Sequence, residues 1–121
     1  MEIRPARRSD VVALCGDTYR QSMKAIVVEH KGKPVGIAGV LRTSPAQCFS
    51  AMDDILRTSP KTILKVAKAL SELLDESQRP VFAIASEDEP TAARFLTHIG
   101  FKYLTTTSQG EVYQWHKQSQ R

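Results

Sequence analysis

The sequence predicts an α/β (α+β) domain in which helices cover both faces of a mixed sheet of six to seven strands. Two observations carry this prediction. Short apolar runs rich in β-branched residues recur along the chain, and they alternate with segments of helical periodicity. The predicted order is strand, helix, three strands, helix, strand, helix and two strands, which is typical of a mixed sheet.

The first half of the chain predicts a strand, a short helix and three further strands. The opening EIRPA is a short strand, and Ser9 followed by Asp10 is expected to cap a helix that stops near Gly16. Apolar runs at 24–30 and 34–42 flank KGK and predict a hairpin of two buried strands. Alternation in QCFSAMD then predicts a strand with one buried face and one face that lines a cleft.

The second half predicts the longest helix, a central strand, another helix and a closing hairpin. In ILRTSPKTILKVAKAL, Ser59 is the expected cap and Pro60 the first helical residue. RPVFAIAS is a continuous apolar run, so we expect a central strand covered on both faces. EPTAARFLTHIG predicts a helix with Pro90 in its first turn and Gly100 just past its end, and FKYLTTT and EVYQWH predict the hairpin. The expected apolar stripe of the longest helix comprises Ile63, Val66, Ala67, Leu70, Leu73 and Leu74.

Size, charge and cysteine content limit the class of protein. We expect residues 1–121 to form a single domain, given a 41% hydrophobic content. The formal charge of +4 suits an anionic ligand, but no nucleic-acid reading motif accompanies it, so nucleic acid is not an expected partner. Cys15 and Cys48 lack the spacing of a disulfide framework or a zinc site, so we expect a reducing, cytoplasmic setting and no metal. No run approaches the roughly twenty apolar residues that cross a bilayer, so a membrane partner is not expected.

The start of the longest helix is a candidate anion site. First-turn N–H groups have no intrahelical partner, and the helix dipole favours phosphate there. Arg57 and Lys61 add positive charge, whereas Pro60 removes one donor. A capped surface helix with solvated lysines explains the same residues, so both interpretations stay open.

Other polar residues have ordinary structural interpretations. Asp53 and Asp54 end the strand before this helix and are expected to be solvated residues before a turn. The three histidines, His30, His98 and His116, have no visible ligand partner and are expected to be structural or surface residues. Tyr103, Tyr113 and Trp115 in the closing hairpin are expected to pack rather than to stack on bases.

The order of elements and the segments IRPARRSD, VVEHKGKPVGIAGV and AARFLTHIGF resemble the GNAT superfamily of N-acetyltransferases over essentially the whole chain. The resemblance implies acetyl transfer from acetyl-CoA to an amine on a small molecule or a protein. In that family the helix begins with Gln/Arg-x-x-Gly-x-Gly/Ala, whose backbone amides wrap the pyrophosphate of acetyl-CoA. RTSPKT stands at this motif, so Arg57 matches its first position, whereas Pro60 and Thr62 replace the two small residues. The implied cofactor contacts are Arg57, Thr58, Ser59, Lys61 and Thr62, with a weaker grip than a glycine loop provides.

A second family segment, Asn-x-x-Ala-x-x-x-Tyr-x-x-x-Gly-Phe, aligns with residues 89–101. Glu89 replaces the Asn that supports the cofactor, and Leu96 replaces the Tyr that protonates the departing thiolate. Leucine cannot donate a proton, so an active enzyme would need another acid, such as Tyr103, Cys48 or water. The resemblance also implies a base near the fourth strand, either a carboxylate or a bound water, and Asp53 and Asp54 are the candidate carboxylates.

Within the superfamily, KPVGIAG, QCFSAMDDILRTS and RFLTHIG resemble a divergent branch of small internal virion proteins from short-tailed phages. Members of that branch also have leucine at the position of the acid. The resemblance therefore implies two alternatives. One is an acyl-CoA-dependent N-acyltransferase with a degenerate cofactor loop and weak or no activity. The other is a non-catalytic phage or prophage protein, a virion component or binding scaffold with virion proteins as partners, in the host cytoplasm or the virion. A homodimer is compatible with both.

Overall fold

The computed structural model describes residues 1–17, 19–77, 79–85 and 92–116. These residues form one seven-stranded sheet and four helices, and the predicted order of elements is confirmed except for one additional helical turn. The elements are β1 (Glu2–Pro5), α1 (Arg8–Cys15), β2 (Met23–His30), β3 (Lys33–Leu41), β4 (Ala46–Met52), α2 (Asp54–Arg57), α3 (Pro60–Asp75), β5 (Val81–Ala85), α4 (Ala92–His98), β6 (Lys102–Thr107) and β7 (Gly110–Trp115).

The sheet is mixed, as predicted, with the order β1-β2-β3-β4-β5-β7-β6. The β4–β5 pair is parallel and the other neighbours are antiparallel. The parallel pairing is short, because only Ala46 with Val81 and Gln47 with Phe82 are partners. Beyond these pairs β4 continues to Met52 and β5 to Ala85 without pairing to each other. We call the gap between residues 48–52 and 83–85 the split.

Helices cover both faces of the sheet, which confirms the predicted architecture. On one face, α1 packs over a small apolar cluster that includes Val11, Val27 and Phe49. On the other face, α2, α3 and α4 cover the larger cluster. The predicted stripe of α3 is confirmed: Val66, Ala67, Leu70 and Leu74 are buried, and Ile63 and Leu73 pack partly buried against the same cluster.

The prediction that β5 is covered on both faces is wrong. Val81, Ala83 and Ala85 are buried in the larger cluster, but Phe82 is only half-buried and Ile84 is 40% exposed. On this face α1 packs over β3 and β4 and does not extend to β5. The continuous apolar run therefore correctly predicts the strand, but it does not predict that helices cover both faces of that strand.

The predicted cap of α1 is also wrong. The helix begins at Arg8 with Arg7 as its cap, so Asp10 lies inside the first turn. The Asp10 carboxylate accepts a hydrogen bond from the Arg7 backbone N–H (2.8 Å) and two from the Arg4 guanidinium (2.8 and 3.0 Å). Arg4 Nε also donates to Glu29 Oε2 at 2.7 Å. Asp10 is thus a buried carboxylate that joins α1 to β1, and Arg4 extends this link to Glu29 on β2.

This contact predicts a pH dependence of stability. The hydrogen bonds from Arg4 lower the pKa of Asp10 below its value in the unfolded chain. A lowered folded-state pKa stabilises the protein above the unfolded value of about 4, and the contribution is lost as pH falls through the folded value. We expect Asp10→Asn to lower the free energy of unfolding at pH 7, with a difference from the wild type that shrinks below pH ~4. Urea unfolding across this range measures it, and a constant difference would contradict the assignment.

Candidate functional site

The split leaves main-chain groups unpaired on the facing edges of β4 and β5. β4 pairs with β3 from Gln47 to Met52 along its other edge. Toward β5 it pairs only at Ala46 and Gln47, so the N–H and C=O groups that face the split beyond Gln47 have no ladder partner there. Exposed strand edges of this kind bind extended chains through main-chain hydrogen bonds. The split is therefore suited to an extended ligand that carries amide groups.

An apolar pocket adjoins the split on the sheet face covered by α2, α3 and α4. The pocket is small, with a volume of about 10 Å³, which is room for about one water molecule. Ser50 contributes the one side-chain hydroxyl among the residues that line it, and that residue is exposed. The apolar lining includes Val28, Gly36, Met52, Leu56, Val66 and Phe95. The pocket is therefore apolar and offers little side-chain hydrogen bonding, and an acyl group would enter it only if the lining side chains move.

The backbone amides before α3 are largely used within the chain. The N–H groups of residues 57–59 donate to carbonyls of Asp53, Asp54 and Leu56, at 3.0–3.3 Å, because α2 winds this segment into a helical turn. Pro60 has no N–H. Among residues 57–62, the N–H groups of Lys61 and Thr62 are left without a main-chain acceptor. Two backbone N–H groups are therefore available at the position where the resemblance implies several amides around the pyrophosphate.

The side chains at this helix start are also partly used. Ser59 is the cap residue of α3 by position, as predicted, but its hydroxyl is hydrogen-bonded to that of Thr62 (2.8 Å) rather than to the helix backbone. The Thr58 hydroxyl donates to the Ile55 carbonyl at 2.9 Å. Arg57 lies 3.9 Å from Asp54, and the Lys61 side chain is exposed. The structure thus brings residues 57–62 together at the start of α3. Glu89, the other predicted cofactor residue, lies outside the described residues.

The candidate bases lie near this helix start. Asp53 is exposed and its carboxylate accepts a hydrogen bond from the Asp54 N–H at 3.2 Å, which makes it the cap of α2. The Asp54 side chain is fully exposed. Both carboxylates therefore have a structural or solvated environment, and neither lines the pocket.

Of the two candidate acids, Tyr103 lies away from the split and Cys48 lies at its edge but is buried. Tyr103 is on β6, which β7 separates from β5, and its hydroxyl is hydrogen-bonded to that of Thr106 at 2.6 Å. Its ring packs edge-on against Tyr113, which is buried as predicted, like Trp115. Cys48 is buried, and this burial raises the pKa of its thiol to about 12. Leu96 is buried in the core.

Sequence reasoning missed two residues that shape the pocket, Gly36 and Phe95, whereas Ser50 lies on the strand whose alternation predicted a face that lines a cleft. Gly36 had a readable signal, since glycine inside an apolar strand marks a close approach of another group. A Cβ at Gly36 would lie 2.3 Å from Leu56 Cδ2, so the missing side chain makes room for α2. Phe95 had no such signal, because an ordinary helix contains the same residue type.

The contact between Gly36 and Leu56 yields a second prediction. Gly36→Ala is expected to destabilise the protein by about 1–3 kcal/mol through overpacking, and Leu56→Ala by about 2–5 kcal/mol. Because the second change removes the clashing atom, the double variant should lose less than the sum. Gly39→Ala is the matched control: its Cβ would meet Ala25 and the Lys24 carbonyl, so Leu56→Ala should not relieve it. Chemical denaturation measures the free energy of unfolding of the three single variants and of the two double variants, Gly36→Ala/Leu56→Ala and Gly39→Ala/Leu56→Ala. If the losses from Gly36→Ala and Leu56→Ala were strictly additive, the contact would be contradicted.

Two further features, a membrane-spanning helix and a metal-binding cluster, are absent from the described ranges. No helix among them is long and apolar enough to span a membrane. Within the same ranges, His, Cys, Asp and Glu side chains do not gather in a group of three that could hold a metal ion.

Comparison with known proteins gives matches in structure only. Neither a family model nor a curated protein sequence matches the chain. An acetyltransferase of the GNAT family from Staphylococcus aureus has a TM-score of 0.69 at 12% identity, covering 97% of this chain and 99% of the other. The ribosomal-protein-S18-alanine N-acetyltransferase from Escherichia coli gives 0.67 at 12% identity, with 94% and 92% covered. The aminoglycoside acetyltransferase AAC(6')-Ib, solved with coenzyme A and kanamycin, gives 0.61 at 16% identity, with 93% and 91% covered. The chain therefore has the fold of the GNAT N-acetyltransferases over nearly its whole length.

Proposed function

We propose that this protein binds an acyl-CoA thioester in the split and transfers its acyl group to an amine. The observation that carries the proposal is the split itself, with unpaired main-chain groups beside an apolar pocket. The pantetheine arm of CoA is an extended chain with two amides, which unpaired strand edges can bind. The apolar lining of the pocket provides a dry surface for a small acyl group once the lining side chains move to admit it.

The residues of this chain fit the arm of CoA better than its diphosphate. The N–H groups of Lys61 and Thr62, which have no main-chain acceptor among the described residues, and the charges of Arg57 and Lys61 can hold one phosphate through charge-assisted hydrogen bonds. The diphosphate fits in part, because α2 uses the amides of residues 57–59 and Pro60 has none. We therefore expect weak binding of CoA.

The chain's own contribution to transfer would be binding and orientation. Transfer breaks the C–S bond of the thioester and forms a C–N bond, while the amine loses a proton and the thiolate gains one. Asp53 and Asp54 remain the candidates for accepting the amine proton. Neither carboxylate lines the pocket, so the proton would reach them through a water molecule. Proximity alone can accelerate such a reaction. We expect slow transfer, with water protonating the thiolate.

Acetyl transfer from acetyl-CoA tests the proposal. Suitable acceptors are kanamycin and a peptide with an N-terminal alanine, amines suggested by two of the structural neighbours. We expect protein-dependent acetylated product by mass spectrometry and a Kd for acetyl-CoA of about 0.1–1 mM. The absence of both product and binding heat at millimolar acetyl-CoA would overturn it.

A second candidate is a non-catalytic phage or prophage protein that keeps the fold as a virion component or binding scaffold. The burial of Leu96 at the family's acid position, together with Pro60 at a glycine position, favours it. Capsid or tail genes beside this gene would support the virion role. Amine acetylation that disappears when the split is blocked would rule it out.

A further inference from the structure

The outer side of α3 carries charges in an arrangement that the helix itself does not need. Lys61, Lys65 and Lys68 lie about one turn apart on its exposed side, and Leu64 beside them is 58% exposed. We call these four residues the lysine face. The acidic residues on the same side, Glu72 and Asp75, come only in the second half of the helix.

The ends of α3 carry charges that oppose the helix dipole. The first turn has no acidic residue but contains Lys61, and the last turn has no basic residue but contains Glu72 and Asp75. Cations near a helix N-terminus and anions near its C-terminus reduce helix stability, whereas Lys65 and Lys68 lie too far from the ends for this effect. The ion pairs among the described residues do not include the three lysines. A row of exposed lysines without an ion pair among the described residues is a candidate surface for contact with an acidic partner.

We propose that the lysine face docks an acidic helix of a carrier protein that delivers the acyl group on a phosphopantetheine arm. The inference rests on the proposed function, because it names the donor for the same split. The position supports it. Lys61 is at the helix start, where its own N–H and that of Thr62 have no main-chain acceptor among the described residues, and Val66 on the inner side of α3 lines the pocket. A protein bound to the lysine face would therefore lie beside this helix start, on the helix whose inner side lines the pocket.

The supply of hydrogen-bond donors favours a carrier over free CoA. A carrier-bound arm ends in one phosphodiester, whereas CoA has a diphosphate and a further phosphate on its ribose. The two amides at Lys61 and Thr62 match one phosphate group. The lysine face spans about 10 Å along α3, which is longer than one phosphate group and suits a row of acidic side chains on a partner helix.

The exposed apolar side chains favour a protein over a nucleic acid. Leu64 within the lysine face and Ile55 on α2 are 58% and 42% exposed. An amphipathic helix can cover such side chains, whereas a phosphate backbone offers them no apolar surface. A long polyanion lying along α3 would also meet Glu72 and Asp75. The complementary partner is therefore short, acidic and partly apolar.

The chemistry of transfer is unchanged by the choice of donor. The C–S bond to the arm breaks, the C–N bond to the amine forms, and the amine proton leaves to water. The thiolate takes a proton and stays on the carrier as a free thiol.

Titration with a fluorescently labelled bacterial acyl carrier protein bearing its phosphopantetheine arm tests the docking surface. The triple variant Lys61→Glu/Lys65→Glu/Lys68→Glu should bind at least about tenfold more weakly than the wild type, with the wild-type affinity falling as salt rises. Glu72→Lys is the matched control on the same side of the same helix, and it should bind as well as the wild type or better. Circular dichroism checks that both variants keep their helices.

Three outcomes would overturn the proposal. One is equal binding of the carrier by the triple variant and the wild type. Another is tighter binding of a DNA duplex than of the carrier. The third is self-association through the lysine face in sedimentation, lost in the triple variant, with no carrier binding.

A small donor separates this inference from the proposed function. Acetyl transfer from S-acetyl-phosphopantetheine, with no gain from the acetylated carrier, would overturn the docking and leave the proposed function standing. Transfer from no donor would overturn the proposed function, while the carrier titration would still decide whether the lysine face docks an acidic protein.

Discussion

Replacing Pro60 and Thr62 together by glycine is expected to raise the affinity for CoA at least about tenfold. The first change adds a backbone N–H at a position that has none, and both changes remove side chains from a segment that must approach a phosphate closely. The change in affinity measures directly how much Pro60 and Thr62 weaken the binding of CoA. Isothermal titration with CoA gives the ratio of the two dissociation constants.

The control for this gain is the pair Pro60→Ala/Thr62→Ala. Alanine also restores the N–H at position 60, but it keeps a Cβ and the ordinary dihedral preferences. We expect a smaller gain from alanine than from glycine, because part of the effect comes from close approach. Glycine in the first turns of α3 destabilises the helix by about 1 kcal/mol per residue, so folding is checked by thermal unfolding. Unchanged CoA affinity in the glycine variant would mean that phosphate does not bind at residues 57–62.

Ser50→Phe is expected to reduce binding of acetyl-CoA at least about tenfold and to abolish any acetyl transfer. Ser50 lies on β4 beyond its last pair with β5, and it lines the apolar pocket. A phenyl ring at this position fills the place where the split meets the pocket. Because Ser50 is exposed, the free energy of unfolding should change by no more than about 0.5 kcal/mol.

Thr105→Phe is the matched control for this loss. Thr105 is an exposed strand residue on β6, at the far edge of the sheet, so the same change there should leave binding and transfer unaltered. Equal ligand affinity in Ser50→Phe and the wild type would exclude the split as the binding site.

Elements with local signals were predictable from the sequence. The apolar stripe of α3 and the β2–β3 hairpin at KGK follow from periodicity and turn residues, and the structure confirms both. Lys31 and Gly32 both have positive φ, which suits the tight turn between these strands. α2 was not predictable, since one helical turn has no periodicity, and it depends on the Asp53 cap and on burial of Leu56 against Gly36.

The site was predictable only where a residue carries its own chemistry. Proline at position 60 removes a donor in any fold, so that loss was readable from the sequence. The amides of residues 57–59 are used because α2 brings the carbonyls of Asp53, Asp54 and Leu56 to them, which depends on the path of the chain. One face of β5 is left partly exposed because α1 packs over β3 and β4 instead. The apolar run of β5 cannot predict this, because the position of α1 depends on the rest of the fold.

Locating a bound pantetheine thioester on the folded protein tests the central claim most directly. Amide chemical shifts recorded by NMR during titration with S-acetyl-pantetheine report which residues meet the arm. We expect the shifts to concentrate at residues 48–52 and 83–85, where β4 and β5 have separated. Saturating shifts confined to other surfaces, such as α1 or β6, or no shifts at millimolar ligand, would contradict it.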